Sequence, residues 1–232
     1  MRIYGGINVD ETGLGASIRG MHLQSEMLLR GNQNINGFNK VGYQKKDQVV
    51  SEFAEYFGVH ALSEVTCQEV GRLAQTFRPL DVALSTKGYF QYSTPYGVEL
   101  TRDGRFKLDK NGYILTQENQ KVLSSTGAPI KLPFTPAAVE DIKIGLDGVV
   151  KVVDRSTNKV VTAGTLGVVT QEGRHAQEVS VRQGFTENSN VVLQEEIFKM
   201  LPVRRNFEAN RELYLVQNDN LTKTIQSLGS SS

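Results

Sequence analysis

The chain has 232 residues, of which 39% are hydrophobic and 22% charged, so it can bury a sizeable core in one large domain or two small ones. Lys and Arg number 26 and Asp and Glu 25, and this balance leaves no basic excess to hold nucleic acid or an anionic membrane surface. The single cysteine, Cys67, excludes an internal disulfide and a cysteine-based metal cluster. Because the sequence has no run of about 20 apolar residues, we expect no insertion into a membrane.

A first helix is predicted near the N-terminus, after residues 1–13, which we expect to be mobile. Its apolar stripe has a spacing of seven and consists of Leu14, Met21, Leu28 and Ile35, with Ile18 beside it. A spacing of seven returns each residue to the same side of a slightly underwound helix, so the stripe predicts a ridge that faces another helix. Glycine and asparagine residues weaken helix propensity towards the end of this segment, and we expect the helix to fray around residues 31–37.

The longest periodic stretch is residues 191–228. Its apolar residues are again seven apart: Leu193, Met200, Phe207, Tyr214, Leu221 and Leu228. A second, weaker row lies four residues further on and contains Ile197 and Ile225, with polar residues between them. A straight helix here would be about 57 Å long, so we interpret the stripe as a surface for a partner helix or a neighbouring subunit. An ordinary amphipathic core helix is the alternative, and Pro202 predicts a kink or a helix start.

Between the two helices the hydrophobic period changes to two, which predicts short β-strands from residue 80 onward. Asp103-Gly104 is the strongest turn signal, because both residue types tolerate a positive φ in a two-residue hairpin turn; Asn111-Gly112 and Asp147-Gly148 repeat it. The predicted fold class is α+β, with an all-antiparallel β middle domain flanked by N- and C-terminal helices that pack together or against neighbouring subunits. The predicted segments are an N-terminal helical segment at 1–43, a connector at 44–79, the β domain at 80–185 and a C-terminal helix at 186–232.

Residue types that commonly carry out catalysis or bind metals occur in patterns that predict neither role. No histidine has a metal-ligand spacing with another; the histidines are His22, His60 and His175. Carboxylates that could pair for acid–base chemistry lie in or beside glycine turns, which account for them. The sequence has no phosphate-binding loop and no nucleophile motif. We therefore expect no catalytic residue, no cofactor, no metal and no small-molecule substrate.

Three groups of residues form recognisable motifs. The C-terminal group has no gaps and comprises Ser189 to Val192, Glu195-Glu196, Met200-Leu201, Arg205 and Phe207 to Asn210. The middle group comprises residues 80–84, 88–90 and 101–109, in predicted strands and turns. The N-terminal group comprises Gly20-Met21, Asn34-Ile35, Asn39 and Gly42-Tyr43. Together the three groups resemble the motifs of the bacterial flagellar rod and hook family. The sequence departs from the family pattern at Gly31, Gln33, Lys40 and Pro202, and residues 170–181 form a shorter segment than in the family.

The resemblance implies a structural subunit of the flagellar basal-body rod, whose terminal helices form an axial inner layer and whose β domain forms an outer layer. It implies that the protein assembles with itself and with other rod and hook proteins, and transmits torque. It further implies delivery by the flagellar export apparatus without a cleaved signal peptide, to a rod that spans the cell envelope in the periplasm. The predicted assembly interface consists of the two stripes and their neighbours: Leu14, Ile18, Met21, Leu28, Ile35, Leu193, Ile197, Met200, Phe207, Tyr214, Leu221, Ile225 and Leu228.

Two alternatives stay open. The first is a hook-type axial component of the flagellum. The second, from a different class, is a carbohydrate-binding or peptidoglycan-remodelling β domain with helical dimerisation arms. The second alternative needs a pair of catalytic carboxylates or an aromatic platform, and the chain has no tryptophan to form such a platform.

Overall fold

The computed structural model describes residues 13–50, 62–136, 138–155 and 159–229. A long helix stands at each end of the described chain, α1 at Gly13–Gly37 and α2 at Leu193–Gly229, with fifteen short strands between them. All paired strands are antiparallel, which confirms the predicted α+β fold class. The chain forms two compact units. The expected mobility of the first residues concerns positions that lie almost entirely outside the described ranges.

The first unit contains α1 up to Asn36, a β-hairpin and α2. The hairpin strands are β1 at Lys46–Val50 and β2 at Leu62–Thr66. The expected fraying of α1 at residues 31–37 is wrong, because its buried contacts outweigh the low helix propensity of glycine and asparagine. Helix α2 begins at Leu193 and continues through Pro202, so the alternative of a helix start at Pro202 is wrong as well.

The second unit contains residues 37–45 and 67–191. Its strands are β3 at Leu73–Gln75, β4 at Val82–Leu84, β5 at Tyr89–Thr94, β6 at Gly97–Thr101, β7 at Lys107–Leu108, β8 at Ile114–Leu115, β9 at Lys121–Val122, β10 at Ile142–Ile144, β11 at Val149–Asp154, β12 at Lys159–Thr165, β13 at Val168–Val169, β14 at Val181–Gln183 and β15 at Phe185–Glu187. A six-stranded sheet has the order β13-β5-β9-β8-β7, with β6 also paired to β5. Strands β10, β11 and β12 form a second sheet, and β14–β4 and β15–β3 form two separate pairs. The segment that we interpreted as a connector, 44–79, therefore supplies β1, β2 and β3.

The core of the second unit lies against the six-stranded sheet. Phe90 and Phe106 are buried at its centre, with their rings edge to face and their centroids 5.2 Å apart. Further core residues are Leu84, Ile114, Val122, Ile130, Ile142, Val150 and Val181. The alternating apolar residues of the strands supply this core, as the period of two predicted.

Asp103-Gly104 does not form the predicted hairpin turn. Neither residue has a positive φ, and the chain continues from β6 into a bridge between Arg105 and Asp81. A Cβ atom at position 104 would overlap the carbonyl oxygen of Val82. Glycine is therefore needed here because the two backbones approach closely. The other two Asx-Gly pairs do lie in hairpin connections, where Gly112 and Gly148 have positive φ.

A buried ion pair joins Arg102, the residue directly after β6, to Glu187 in β15. The Arg102 Nε donates to Glu187 Oε2 at 2.6 Å, and both side chains are almost completely buried. The remaining Arg102 nitrogens donate to backbone carbonyls of Leu84, Thr86 and Gly88. Burial raises the pKa of the Glu187 carboxyl, and the Arg102 charge partly opposes that rise. The pair therefore ties β15 to the loops around β4 and β5.

Candidate functional site

The two terminal helices form an antiparallel pair. Gly13 lies beside Gln217, Gly20 beside Asn210 and Gly31 beside Met200. The contacts thus move back along α2 as they advance along α1. A Cβ atom at position 20 would lie 2.6 Å from the Asn210 amide nitrogen, and one at position 31 would lie 2.7 Å from the Met200 sulfur. The glycines of α1 therefore allow the large side chains of α2 to approach the α1 backbone closely.

The contact surface between the helices, which we call the seam, follows a heptad with alternating steps of three and four residues. On α1 it consists of Gly13, Ser17, Gly20, Gln24, Met27, Gly31 and Asn34. On α2 it consists of the residues that are not fully exposed: Leu193, Glu196, Met200, Val203, Phe207, Asn210, Tyr214 and Gln217. The second row on α2 thus lies three residues after each stripe residue, whereas we predicted a step of four. Three of its members are polar, and Asn210 donates to Gln24 at 3.2 Å.

A buried polar clasp closes one end of the seam. The Asn34 side chain accepts from the Lys46 backbone N–H at 3.0 Å and donates to the Lys46 carbonyl at 2.9 Å. The same amide donates to Glu196 Oε2 at 2.8 Å. Asn34 and Glu196 are both buried. One side chain therefore joins α1, α2 and the first residue of β1, and its amide bonds β1 in the way that a neighbouring strand would.

The hairpin covers one side of the helix pair through charged groups. Arg30 pairs with Glu64 at 2.6 Å, Lys46 pairs with Glu64 at 2.7 Å, and Lys199 approaches Asp47 at 3.8 Å. The hydrogen bond from Lys46 is the largest cause of the lowered pKa of Glu64, and the charges of Lys46 and Arg30 lower it further against the effect of burial. A cavity of about 230 Å³ lies between the hairpin and the two helices. The hairpin contacts α1 and α2 at residues that directly precede seam positions.

On α1 most residues that directly follow seam positions are apolar, whereas on α2 Arg204, Glu208 and Arg211 lie between the apolar Leu201 and Leu215. In an antiparallel pair these following positions lie on the same side of both helices, opposite the hairpin, because the two helices rotate in opposite senses when viewed from one end. We call this side the apolar flank: Leu14, Ile18, Met21, Leu28, Ile35, Ile197, Leu201 and Leu215. Ile18, Ile197, Leu201 and Leu215 are each 45–48% exposed, and the other members are half-buried.

The structure divides the predicted interface residues into three groups. The α1 stripe and Ile197 belong to the apolar flank. Leu193, Met200, Phe207 and Tyr214 lie in the seam within the chain. Leu221, Ile225 and Leu228 are 50–68% exposed and lie beyond the point where α2 meets Gly13. The prediction missed Leu201 and Leu215, although each is an apolar residue directly after a stripe residue, and that pattern could have identified them.

Ligand chemistry has little support in the described ranges. No group of three or more His, Cys, Asp or Glu side chains among these residues is arranged to hold a metal ion. No helix within them is long and apolar enough to cross a membrane. We therefore take the apolar flank as the candidate interaction surface of the first unit.

One family model and several known proteins are similar to this chain. A family model described as "Flagellar hook protein FlgE/F/G D1 domain" matches residues 83–152, which lie in the second unit. The chain is 28% identical to the flagellar basal-body rod protein FlgF of Mesorhizobium japonicum, over 87% of this chain and 89% of that protein. It is 29% identical to FlgF of Rhizobium meliloti, over 95% and 99% of the two chains. It is 27% identical to the flagellar basal-body rod protein FlgG of Bacillus subtilis, over 91% and 97%. The chain is therefore similar, over most of its length, to flagellar basal-body rod proteins.

Proposed function

We propose that this protein is a structural subunit of the bacterial flagellar basal-body rod, and that it assembles through the apolar flank of its helix pair. The observation that carries the assembly mechanism is the exposure of the flank, where Ile18, Ile197, Leu201 and Leu215 are each 45–48% exposed. Exposed apolar side chains that are grouped on one side of a helix pair mark an interaction site. Relatives that match nearly the whole chain are named rod proteins, which supports the rod over other axial structures.

In the assembled rod, the flank is covered by helices of neighbouring subunits. Each fully buried Leu, Ile or Met side chain contributes about 1.5 to 3 kcal/mol, so a few flank residues per contact hold a repeating array. The hairpin covers part of the opposite side of the helix pair with charged groups. Torque then passes from subunit to subunit through many identical contacts.

The partners are further copies of this chain and other rod and hook components. Delivery requires the flagellar export apparatus, and the assembled rod lies in the periplasm. A hook-type axial component is the second candidate, because the family model that matches residues 83–152 is named for the hook protein. A carbohydrate-binding or hydrolytic role has no feature of the described residues in its favour.

Substitutions on the flank test the proposal. Ile18→Asp and Leu201→Asp each place a charge where assembly removes water, at a cost of several kcal/mol per contact. We expect both variants to abolish rod formation and swimming, because neither side chain lies in the seam or in the second unit. Thermal unfolding of the purified variants should stay close to that of the unsubstituted protein.

The matched control is Arg205→Asp on the same helix, where the side chain is exposed and lies away from the flank. This variant should form rods and swim. Normal swimming with either flank variant would contradict assembly through the flank. Loss of the folded helix pair in either variant would show that the flank belongs to the internal core of the first unit.

A further inference from the structure

The outer surface of the six-stranded sheet carries three lysines, and one carboxylate, Asp109, lies at its end opposite Tyr113. In this sheet Lys121 is directly paired with Ser93 and with Leu115, and Leu115 is directly paired with Lys107. Directly paired residues of antiparallel strands lie on the same face, so these side chains form one row. The buried residues Ile114 and Val122 alternate with this row and point to the core.

Tyr113 extends the row and joins a third lysine to it. Tyr113 is bridged to Lys131, and it lies two residues before Leu115, so it is on the same face. The Lys121 and Lys131 ammonium groups lie 4.6 Å and 5.3 Å from the centre of its ring. None of Lys107, Lys121 and Lys131 forms an ion pair within the described ranges. The Lys107 ammonium instead donates to the Gln117 carbonyl at 2.8 Å. We call this surface the basic face.

The other side of the same sheet has uncompensated negative charge. A small groove of about 90 Å³ there is lined by Tyr92, Thr101, Asp103, Thr116, Gln117 and Glu118. The Tyr92 hydroxyl donates to Glu99 at 2.7 Å, while Asp103 is already paired with Arg105. Neither Glu99 nor Glu118 forms an ion pair with another described residue. We call this surface the acidic groove.

The titration of Tyr92 agrees with this concentration of negative charge. Its pKa is raised to about 12, first by burial, then by the hydrogen bond and charge of Glu99, with a further contribution from Glu118. A groove of this volume has room for several water molecules. This space suits the end of a lysine side chain.

We propose that the basic face of one copy of this chain docks on the acidic groove of a second copy, with the ammonium group of Lys121 or Lys131 entering beside Glu99 and Glu118. The two surfaces are different and lie on opposite sides of one sheet, so the contact is head to tail and continues from copy to copy. Opposite charges on the two surfaces fix which sides meet. This inference rests on the proposed function, since it supplies the rod with a second contact that is separate from the apolar flank.

Charge exchange in the full-length protein tests the contact, with self-association measured by sedimentation velocity at low and high salt. The first variant combines Lys121→Glu with Lys131→Glu, and the second combines Glu99→Lys with Glu118→Lys. Each variant alone should associate roughly tenfold more weakly than the unsubstituted chain, because attraction becomes repulsion. An equimolar mixture of the two should recover association, since each reversed surface then meets its complement on the other variant.

The matched control combines Lys143→Glu with Lys151→Glu, a directly paired and exposed set on the other sheet that changes the charge by the same amount. The control should associate like the unsubstituted chain. No salt-sensitive association of the unsubstituted chain, equal association of the lysine variant, or failure of the mixture to recover would each overturn the proposal. Poor swimming of the lysine variant with unchanged self-association would instead assign the basic face to a different acidic partner, and would also overturn it.

The outcomes separate this inference from the rod assignment. If the charge variants associate and swim normally while Leu201→Asp does not swim, the sheet contact is wrong and the rod assignment stands. If Leu201→Asp swims normally, assembly through the flank fails independently of the sheet contact.

Discussion

At the scale of single residues, the chain relies on a few buried polar groups whose partners are far away in sequence. Arg102 is the clearest case, because its guanidinium bonds Glu187 and three backbone carbonyls in the interior of the second unit. Arginine suits this position since it presents several donors in a fixed plane. A buried charge of this kind is tolerated only while all its partners stay in place.

Removal of this guanidinium should destabilise the second unit. We expect Arg102→Met to lower the free energy of unfolding by about 3 to 5 kcal/mol, because Glu187 would remain buried with its main charge partner gone. The measurement is urea unfolding followed by circular dichroism. Arg105→Met is the control, since Arg105 pairs with Asp103 near the surface and its loss should cost about 1 kcal/mol or less. Similar losses for both variants would contradict the role assigned to the buried pair.

At the scale of elements, the helix pair shows what sequence patterns reveal and what they hide. The stripe of α2 was predictable because Leu193, Met200, Phe207 and Tyr214 are apolar at a spacing of seven. The other half of the seam was not, because Glu196, Asn210 and Gln217 are polar and face glycines or amides of α1. Hydrophobic periodicity detects only apolar contacts. The same limit made Gly104 look like a turn residue, since the sequence does not show which backbone approaches it.

The clasp at Asn34 should control the attachment of the hairpin. We expect Asn34→Ala to lower the free energy of unfolding of the first unit by about 2 to 4 kcal/mol, since three hydrogen bonds are lost and Glu196 stays buried. Hydrogen exchange at the Lys46 amide reports this directly and should become faster. Asn32→Ala, an exposed change on the same helix, should leave that exchange rate unchanged. Unchanged protection of Lys46 in the Asn34 variant would show that the clasp is dispensable.

The hairpin should also respond to acid. The pKa of Glu64 is lowered from 4.5 in the folded protein, so the native state binds fewer protons than the unfolded state between the two values. The stabilisation from Glu64 is therefore fully present above pH 4.5 and is lost as the pH falls through the lowered value. We expect protection of the hairpin amides to decrease over this range in the unsubstituted protein and to change less in Glu64→Gln. A carboxyl titration by NMR that gives Glu64 a pKa above 4.5 would reverse the sign.

At the scale of the whole molecule, the two units use the chain differently. The second unit takes nearly all its residues from one continuous stretch, 67–191, and its core lies within that stretch. The first unit joins residues near the start of the chain to the last helix. The β middle was therefore easy to predict from local patterns, whereas the partners within the first unit depend on contacts across most of the chain.

A chain that ends after residue 191 should keep the second unit folded. We expect it to show a cooperative thermal transition with the circular dichroism of β-structure, because every core strand remains. The helical signal should fall further than the loss of α2 alone explains, since α1 then lacks its seam partner. A truncated chain without a cooperative transition would show that the second unit depends on α2.

The clasp also sets an order of events for a new chain. Asn34 and Glu196 are separated by 162 residues, so the helix pair cannot close until the last helix has been synthesised. Closing so long a loop costs conformational entropy, and that cost falls once the intervening stretch has collapsed into a compact β unit that shortens the path between the ends. The middle of the chain can thus fold first and alone, and the helix pair, with its assembly surface, forms last.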